Sequence, residues 1–358
     1  MAKYAVIMAG GIGTRFWPVS RVRKPKQFLD ILGLGKTLLQ MTYERFLNVV
    51  PKENIFIVTN EQYRALIKEQ LPAITDNQIL GEPIAKNTAP CIAYAAFKIF
   101  SKDPKAVMVV APSDHLIVDE ANFVKRVNEG VDFVKDKKAL LTLGIKPSRP
   151  DTGYGYIQFV EKEEQKNIFN VKTFTEKPNE ELAMEFIGSG DFLWNAGIFI
   201  WSVESIMSAF EEHLTELSEL FKGGTKHFNK SSERSFIEEV YPVCQSISID
   251  YGIIEKADNV YVIPSDFGWS DLGTWKSLYD VVDKTTEGNV LLGDSIELND
   301  TTNSLVFNQN GKLIVLEGVN DLFVLDTKDA LLICHFDKEQ EVKRVVGEIK
   351  SRHKGKFI

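Results

Sequence analysis

The segment Lys3-Tyr-Ala-Val-Ile-Met8 is apolar without polar alternation, which suits a strand buried on both faces of a parallel sheet. Further apolar runs at 55–59, 106–111 and 140–145 alternate with helical patterns at 37–49, 61–71, 90–100 and 123–135. Strands that alternate with helices predict a three-layer α/β sandwich with right-handed crossovers and a mixed, mainly parallel sheet. From Tyr154 the rhythm changes, with strands expected at 156–160 and 170–175 around a charged, solvated tip at 161–167. Helical patterns return at 180–187, 204–221, 236–241 and 275–282. Beyond Thr285-Thr286-Glu287-Gly288, short apolar runs at 295–298, 305–307, 313–316, 322–325 and 331–335 are separated by Gly, Asn and Asp. They predict a small all-β appendage closed by a helix at 340–351. The expected domains are therefore 1–285 and 286–358, and no 20- to 50-residue repeat is evident.

The first strand runs into AGGIGTRFWPVSR, which starts at Ala9, and then into PKQF, which starts at Pro25. Glycines let backbone amides approach an anionic oxygen, and Arg15 and Lys26 add two positive charges. The segment reads as a phosphate clamp at the carboxyl edge of the sheet, where ligands of such folds dock. Glycines alone would equally serve a ligand-free turn; Arg15, Pro18, Arg21, Pro25 and Lys26 favour the clamp. Two other phosphate motifs fail on spacing. A dinucleotide fingerprint on Gly11 and Gly13 needs a third glycine where Phe16 stands. A P-loop ending at Gly35-Lys36-Thr37 needs one where Asp30 stands.

A chain of 358 residues, 44% hydrophobic, can bury a substantial core and hold more than one domain. Its 42 basic and 50 acidic residues give a net charge of -8, which argues against nucleic-acid or anionic-membrane partners. No apolar run suits a signal peptide or a membrane span, so the cytoplasm is the expected location. Cys91, Cys244 and Cys334 are too few and too scattered for a disulfide framework or a CxxC metal site.

Asp114 follows the apolar run 106–111, and Asp271 lies in a glycine-flanked loop far along the chain. Magnesium takes one or two protein carboxylates and completes its octahedron with water and phosphate oxygens, so two remote aspartates beside a clamp suit a metal-nucleotide site. A helix N-cap for Asp114 and a loop cap for Asp271 are the plainer readings of each taken alone. His115 receives no role, because a single histidine at a strand end commonly serves as a hydrogen-bonded structural residue.

These blocks, together with GEPIAKNTAP at 81–90, APSDH at 111–115, TGYGYI at 152–157, FTEKP at 174–178, WNAGIF at 194–199 and GWSDLGTW at 268–275, resemble the sugar nucleotidyltransferases that make GDP-mannose, the mannose-1-phosphate guanylyltransferases. The resemblance runs in family order from about Ala2 to Trp275, with Ile12 and Phe16 departing from the residues common there. It implies a Rossmann-like nucleotidyltransferase sandwich with a small C-terminal β domain. It also implies attack of mannose 1-phosphate on the α-phosphorus of GTP, expelling pyrophosphate, with Mg²⁺ or another divalent cation as cofactor. Short members of the family use the β appendage to support dimers, so a homodimer is the implied assembly. About 70 residues follow the large domain, too few for the isomerase domain that larger members append.

By the same resemblance Gly10, Gly11, Gly13, Thr14, Arg15 and Ser113 bind the nucleotide, with Gly11 to Arg15 around the β- and γ-phosphates. Lys26 neutralises charge near the α-phosphate, Asp114 and Asp271 hold the metal, and Pro83, Asn87 and Thr88 belong to the base-reading loop. A helix start with Asn87 or Thr88 at the cap and Pro90 in the first turn holds alongside that role. For the sugar, Gly155 lets main chain approach a ring with Tyr154 at its edge, although a hairpin entry accounts for both. Glu176 can accept from vicinal hydroxyls and Lys177 can meet the sugar phosphate, or the two form a surface ion pair. Asn195 offers an amide donor and acceptor, with Gly197 leaving room. Trp194 and Trp269 are placed in the core, and Asp250 at a helix cap. The alternatives are the same fold acting on another nucleotide or sugar, such as a glucose-1-phosphate thymidylyltransferase, and a non-catalytic nucleotide-sugar sensor.

Overall fold

The computed structural model describes residues 1–11 and 13–358. The chain forms two compact units, one comprising Met1–Gly10, Thr42–Ser113 and Ile117–Trp269, the other Gly11–Met41, Asp114–Leu116 and Ser270–Ile358.

The first unit is built on a nine-stranded mixed sheet. In spatial order its strands are Ile79–Glu82, Ile55–Asn60, Lys3–Met8, Val107–Pro112, Phe192–Ser202, Leu140–Ile145, Val260–Ser265, Ile168–Glu176 and Gly155–Gln165. The first four run parallel, with Ala5 beside Ile55 on one side and Val109 on the other. Phe192–Ser202 is antiparallel to both of its neighbours in the middle of the sheet. Alternate residues Tyr4, Val6, Met108 and Val110 pack under the helix Thr88–Lys102, which is apolar nearly all round and correspondingly buried. On the opposite face the helix Glu120–Val134 brings Gly130 against Ile200, Leu141 and Ile263. The sandwich expected from the alternating runs is therefore present.

Three strands of this sheet lack a sequence signature. In Phe192–Ser202 the polar Asn195 and the turn-forming Gly197 interrupt the apolar run; Ile79–Glu82 and Val260–Ser265 are short and broken by Gly81 and Pro264. The expected tip 161–167 is mostly strand, because Gly155–Gln165 and Ile168–Glu176 extend their ladder outward where both faces meet solvent. The helical pattern 204–221 divides into Val203–His213 and Thr215–Lys222, since Leu214 between them leaves the helical region at φ -135°, ψ 54°. Deep in the helical layer Lys98 Nζ meets Glu233 Oε2 at 2.6 Å, and Tyr94 donates to the same carboxylate at 2.8 Å.

The second unit contains the β appendage. Val290–Leu292, Leu305–Asn308 and Leu322–Asp326 stack in parallel, and Leu331–His335 closes that sheet antiparallel. Ile296–Asn299 and Ile314–Glu317 form a second parallel pair, so successive chain passes make the rungs of a β-helix. Phe16, Leu29, Ile31, Trp275, Leu278, Phe307, Phe323 and Leu325 share its core. The terminal helix Val342–Arg352 lays Val342 and Val346 on Trp17. Among the described residues no helix is long and apolar enough to cross a membrane.

Candidate active site

Gly13 sits at φ 64°, ψ 44°, a left-handed conformation that suits glycine. A Cβ there would stand 2.7 Å from Lys26 Cβ, so close approach of the two segments excludes any side chain. The chain then winds through the short turn Thr14–Phe16, and Pro25 leads into a second short turn, Lys26–Phe28. Lys26 is only 3% exposed. Its ammonium donates to Asp114 Oδ2 at 2.8 Å, to the Asp271 carbonyl at 2.8 Å and to the Leu272 carbonyl at 2.9 Å. One lysine thus ties together two loops 157 residues apart, which are the loops of Asp114 and Asp271 (271 - 114 = 157).

Around this knot lies a cavity of about 290 Å³ lined by Gly13, Thr14, Arg15, Lys26, Asp114 and Asp271, with His115, Gly273 and Lys343 completing its wall. Burial pushes the Asp114 carboxyl up, but the positive charge of Lys26, then of His115, outweighs it and holds the group below its ordinary range. Asp271 is oriented by the Gly273 amide, which donates to Oδ1 at 2.9 Å. The donor set suits a hard cation. Among the described residues no three His, Cys, Asp or Glu side chains cluster as a closed cage, whereas two carboxylates in a cavity open to phosphate and water are what Mg²⁺ uses.

In the sheet unit, Gly10, Glu82 and Ser113 lie at the carboxyl ends of three of the parallel strands. Glu82 is 5% exposed. Burial pushes its carboxyl up to about 7, partly opposed by the hydrogen bond that the Tyr241 hydroxyl donates to Oε1. Oε2 has no hydrogen-bond partner among the described residues and points toward Gly10, where a Cβ would stand 3.3 Å away. In the sequence the only signal for Glu82 is an acid between Gly81 and Pro83 at the end of a buried strand. Ser113 is buried, and its amide donates to the Met8 carbonyl at 3.0 Å. Asn87 caps the following helix, its side chain accepting from the Thr88 amide at 2.9 Å, and Thr88 Oγ1 accepts from the Ile249 amide at 2.8 Å. Pro83 lies half-buried beside them.

The residues expected around the sugar also belong to the sheet unit. Gly155 faces Glu176 across the hairpin, and a Cβ on Gly155 would sit 2.5 Å from Glu176 Oε2. The space left by this glycine is thus filled by the glutamate. Lys177 pairs with Glu176 through Oε1. Tyr154 is wedged edge-on between Trp194 and Trp269, with centroids at 5.1 and 5.2 Å, which gives both tryptophans a part in shaping this surface. Asn195 is largely committed. Its Oδ1 accepts from Thr142 Oγ1 at 3.0 Å and from the Gly197 amide at 3.1 Å, and its Nδ2 donates to Asp250 Oδ1 at 2.9 Å, leaving one N–H. Asp250 therefore holds Asn195 instead of capping a helix with its side chain. Burial and the nearby charge of Glu176 raise its carboxyl to about 7.

Residues 4–288 match the nucleotidyl transferase family. The chain belongs to that family. Beyond that match, residues 293–349 match the mannoseP isomerase/GMP-like β-helix domain, in the region where the rungs are observed. Among its relatives, the mannose-1-phosphate guanylyltransferase of Escherichia coli K12 is 40% identical over 97% of this chain and 73% of its own length. The enzyme of the same name from Salmonella montevideo is 36% identical over 99% of this chain and 75% of its own. A solved structure from Thermus thermophilus, described as a mannose-1-phosphate geranyltransferase, superposes with a TM-score of 0.89 at 31% identity, covering 98% of this nucleotidyl transferase chain and 100% of that one.

Proposed function

We propose that the protein transfers a guanylyl group from GTP to α-D-mannose 1-phosphate. An oxygen of the sugar phosphate forms a bond to the α-phosphorus, the bond from that phosphorus to the bridging oxygen breaks, and pyrophosphate leaves. The nucleophile is already an anion, so the step needs alignment and charge cancellation more than a general base. The observation that carries this reading is the cavity in which Lys26 links the loops of Asp114 and Asp271 beside Gly13, Thr14 and Arg15. Gly11, Gly13, Thr14 and Arg15 take the β- and γ-phosphates. Lys26 exchanges one of its present acceptors for an α-phosphate oxygen. Asp114 and Asp271 hold Mg²⁺, which when bound supplies charge neutralisation and orientation to two mutually repelling phosphates.

Base choice falls to Glu82, supported by Gly10, Pro83, Asn87, Thr88 and Ser113. Guanine alone among the common bases presents two adjacent donors, N1–H and N2–H, on its pairing edge, and a carboxylate accepts both side by side. Tyr241, bonded to Oε1, fixes the carboxylate for that task. For mannose 1-phosphate, Glu176 and the remaining N–H of Asn195 take ring hydroxyls, Lys177 takes the phosphate, and Tyr154 with Gly155 and Gly197 shapes the surface. The reading also places the protein in the cytoplasm, as a homodimer with no nucleic-acid partner. It divides the chain into a catalytic domain over 1–285 and a β-rich domain over 286–358, supported by family matches over 4–288 and 293–349. A grid of nucleoside triphosphates against hexose 1-phosphates, read by pyrophosphate release with and without Mg²⁺, tests it. Release confined to GTP with mannose 1-phosphate is expected; equal release from dTTP with glucose 1-phosphate would refute the assignment.

A further inference from the structure

The terminal helix Val342–Arg352 puts one side chain, Lys343, into the wall of the Lys26 cavity. It is held there by contacts to the glycine-rich segment itself. Val342 and Val346 cover Trp17, two residues beyond Arg15, and Trp17 Nε1 donates to the Phe357 carbonyl at 2.8 Å. Arg21 reinforces the attachment through Asp329 at 2.7 Å. Both arginines of this helix are paired along it: Arg344 Nε with Glu341 at 2.7 Å and Arg352 with Glu348 at 3.3 Å. The Lys343 ammonium is exposed and has no hydrogen-bond or ion-pair partner among the described residues. The cavity holds the cations Arg15, Lys26 and Lys343 against the carboxylates Asp114 and Asp271. Lys343 adds to the positive charge that Arg15 and Lys26 set against Asp114 and Asp271, which favours an anion in the cavity.

We propose that Lys343 is a phosphate-binding residue for the β- and γ-phosphates of the nucleoside triphosphate and for the departing pyrophosphate, so that the β appendage supplies part of the nucleotide site. This rests on the function proposed above. A surface lysine on a polyphosphate makes charge-assisted hydrogen bonds, and its loss is expected to weaken binding on the order of tenfold. The full chain, with Mg²⁺ present, is titrated directly with GTP, GMP and pyrophosphate for the wild type, Lys343→Ala, Lys343→Arg and the paired control Arg344→Ala. Expected is about a tenfold loss for GTP and pyrophosphate in Lys343→Ala, no change for GMP, recovery in Lys343→Arg and wild-type binding in Arg344→Ala. Unchanged GTP binding in Lys343→Ala, or an equal loss for GMP, overturns the inference. Because binding is read without turnover, a wild type that binds GTP yet releases no pyrophosphate with mannose 1-phosphate sinks the proposed reaction while the lysine is still judged by its own arm.

Discussion

Replacing Glu82 with Gln keeps the shape of the side chain and removes the charge that burial opposes. The carboxyl stands at about 7 in the folded protein against an ordinary 4.5. At about 1.4 kcal/mol per unit, this means that ionising Glu82 costs the fold roughly 3 kcal/mol. The folded state keeps its proton longer than the unfolded state. Stability from this group is therefore complete below pH 4.5, falls as pH rises, and is lost above about 7. Glu82→Gln lacks that loss, so the variant should match the wild type near pH 4 and exceed it by about 3 kcal/mol at pH 8. Urea unfolding of both proteins at several pH values measures the difference, in which the parallel contribution of Asp250, also raised to about 7, cancels. A gain in stability should accompany a loss in function. An amide offers one acceptor and one donor, so N2–H of guanine would meet a competing N–H, whereas xanthine presents N1–H beside a carbonyl and fits. GTP turnover should fall on the order of a hundredfold while xanthosine triphosphate gains. Parallel stability curves from pH 4 to 8, or unchanged preference for GTP, would refute the reasoning.

Lys26→Ala should lower pyrophosphate release on the order of a hundredfold, the usual effect of losing one preorganised donor. It should also lower unfolding stability by about 2 kcal/mol, because Asp114 and two carbonyls lose a buried partner. Chelation with EDTA should abolish turnover and added Mg²⁺ restore it, whereas Asp271→Asn should keep its fold by circular dichroism and require much higher Mg²⁺ for any rate. Lys98→Met should cost about 3–5 kcal/mol in urea unfolding by stranding the Glu233 carboxylate, and Lys98→Met with Glu233→Leu should recover most of it.

Strands buried on both faces declare themselves. Lys3–Met8 and Leu140–Ile145 begin and end with their apolar runs, because nearly every side chain there faces a covered side of the sheet. Phe192–Ser202 is as central to the sheet, yet polar and glycine positions serving Asn195 and Gly197 break its pattern. Apart from Val290–Leu292, the rungs of the β appendage are legible for a different reason: most of the short apolar runs end at a Gly, Asn or Asp turn, and the stacking of passes repeats that texture.

Residue letters show which chemistries are present, but they cannot show which donors and acceptors are already spent. Asn195 looks like a versatile sugar ligand until its oxygen is found shared between Thr142 and Gly197 and one of its two N–H groups given to Asp250. Lys26 looks like a waiting cation until all of its three N–H groups are found engaged. Glu82 is the reverse case, a residue that looks like strand filler and turns out to have one carboxylate oxygen bonded to Tyr241 and the other without a partner among the described residues. A buried group whose bonds are complete needs no ligand, and one left incomplete is hard to explain without one. On that criterion we propose that Glu82 shares the base-reading role with Asn87 and Thr88, whose Oδ1 and Oγ1 already accept from backbone amides. The catalytic role of Lys26 then requires that an arriving phosphate oxygen displace one of two neutral carbonyls. An anion is the stronger acceptor for an ammonium, so the exchange favours a nucleotide phosphate over water.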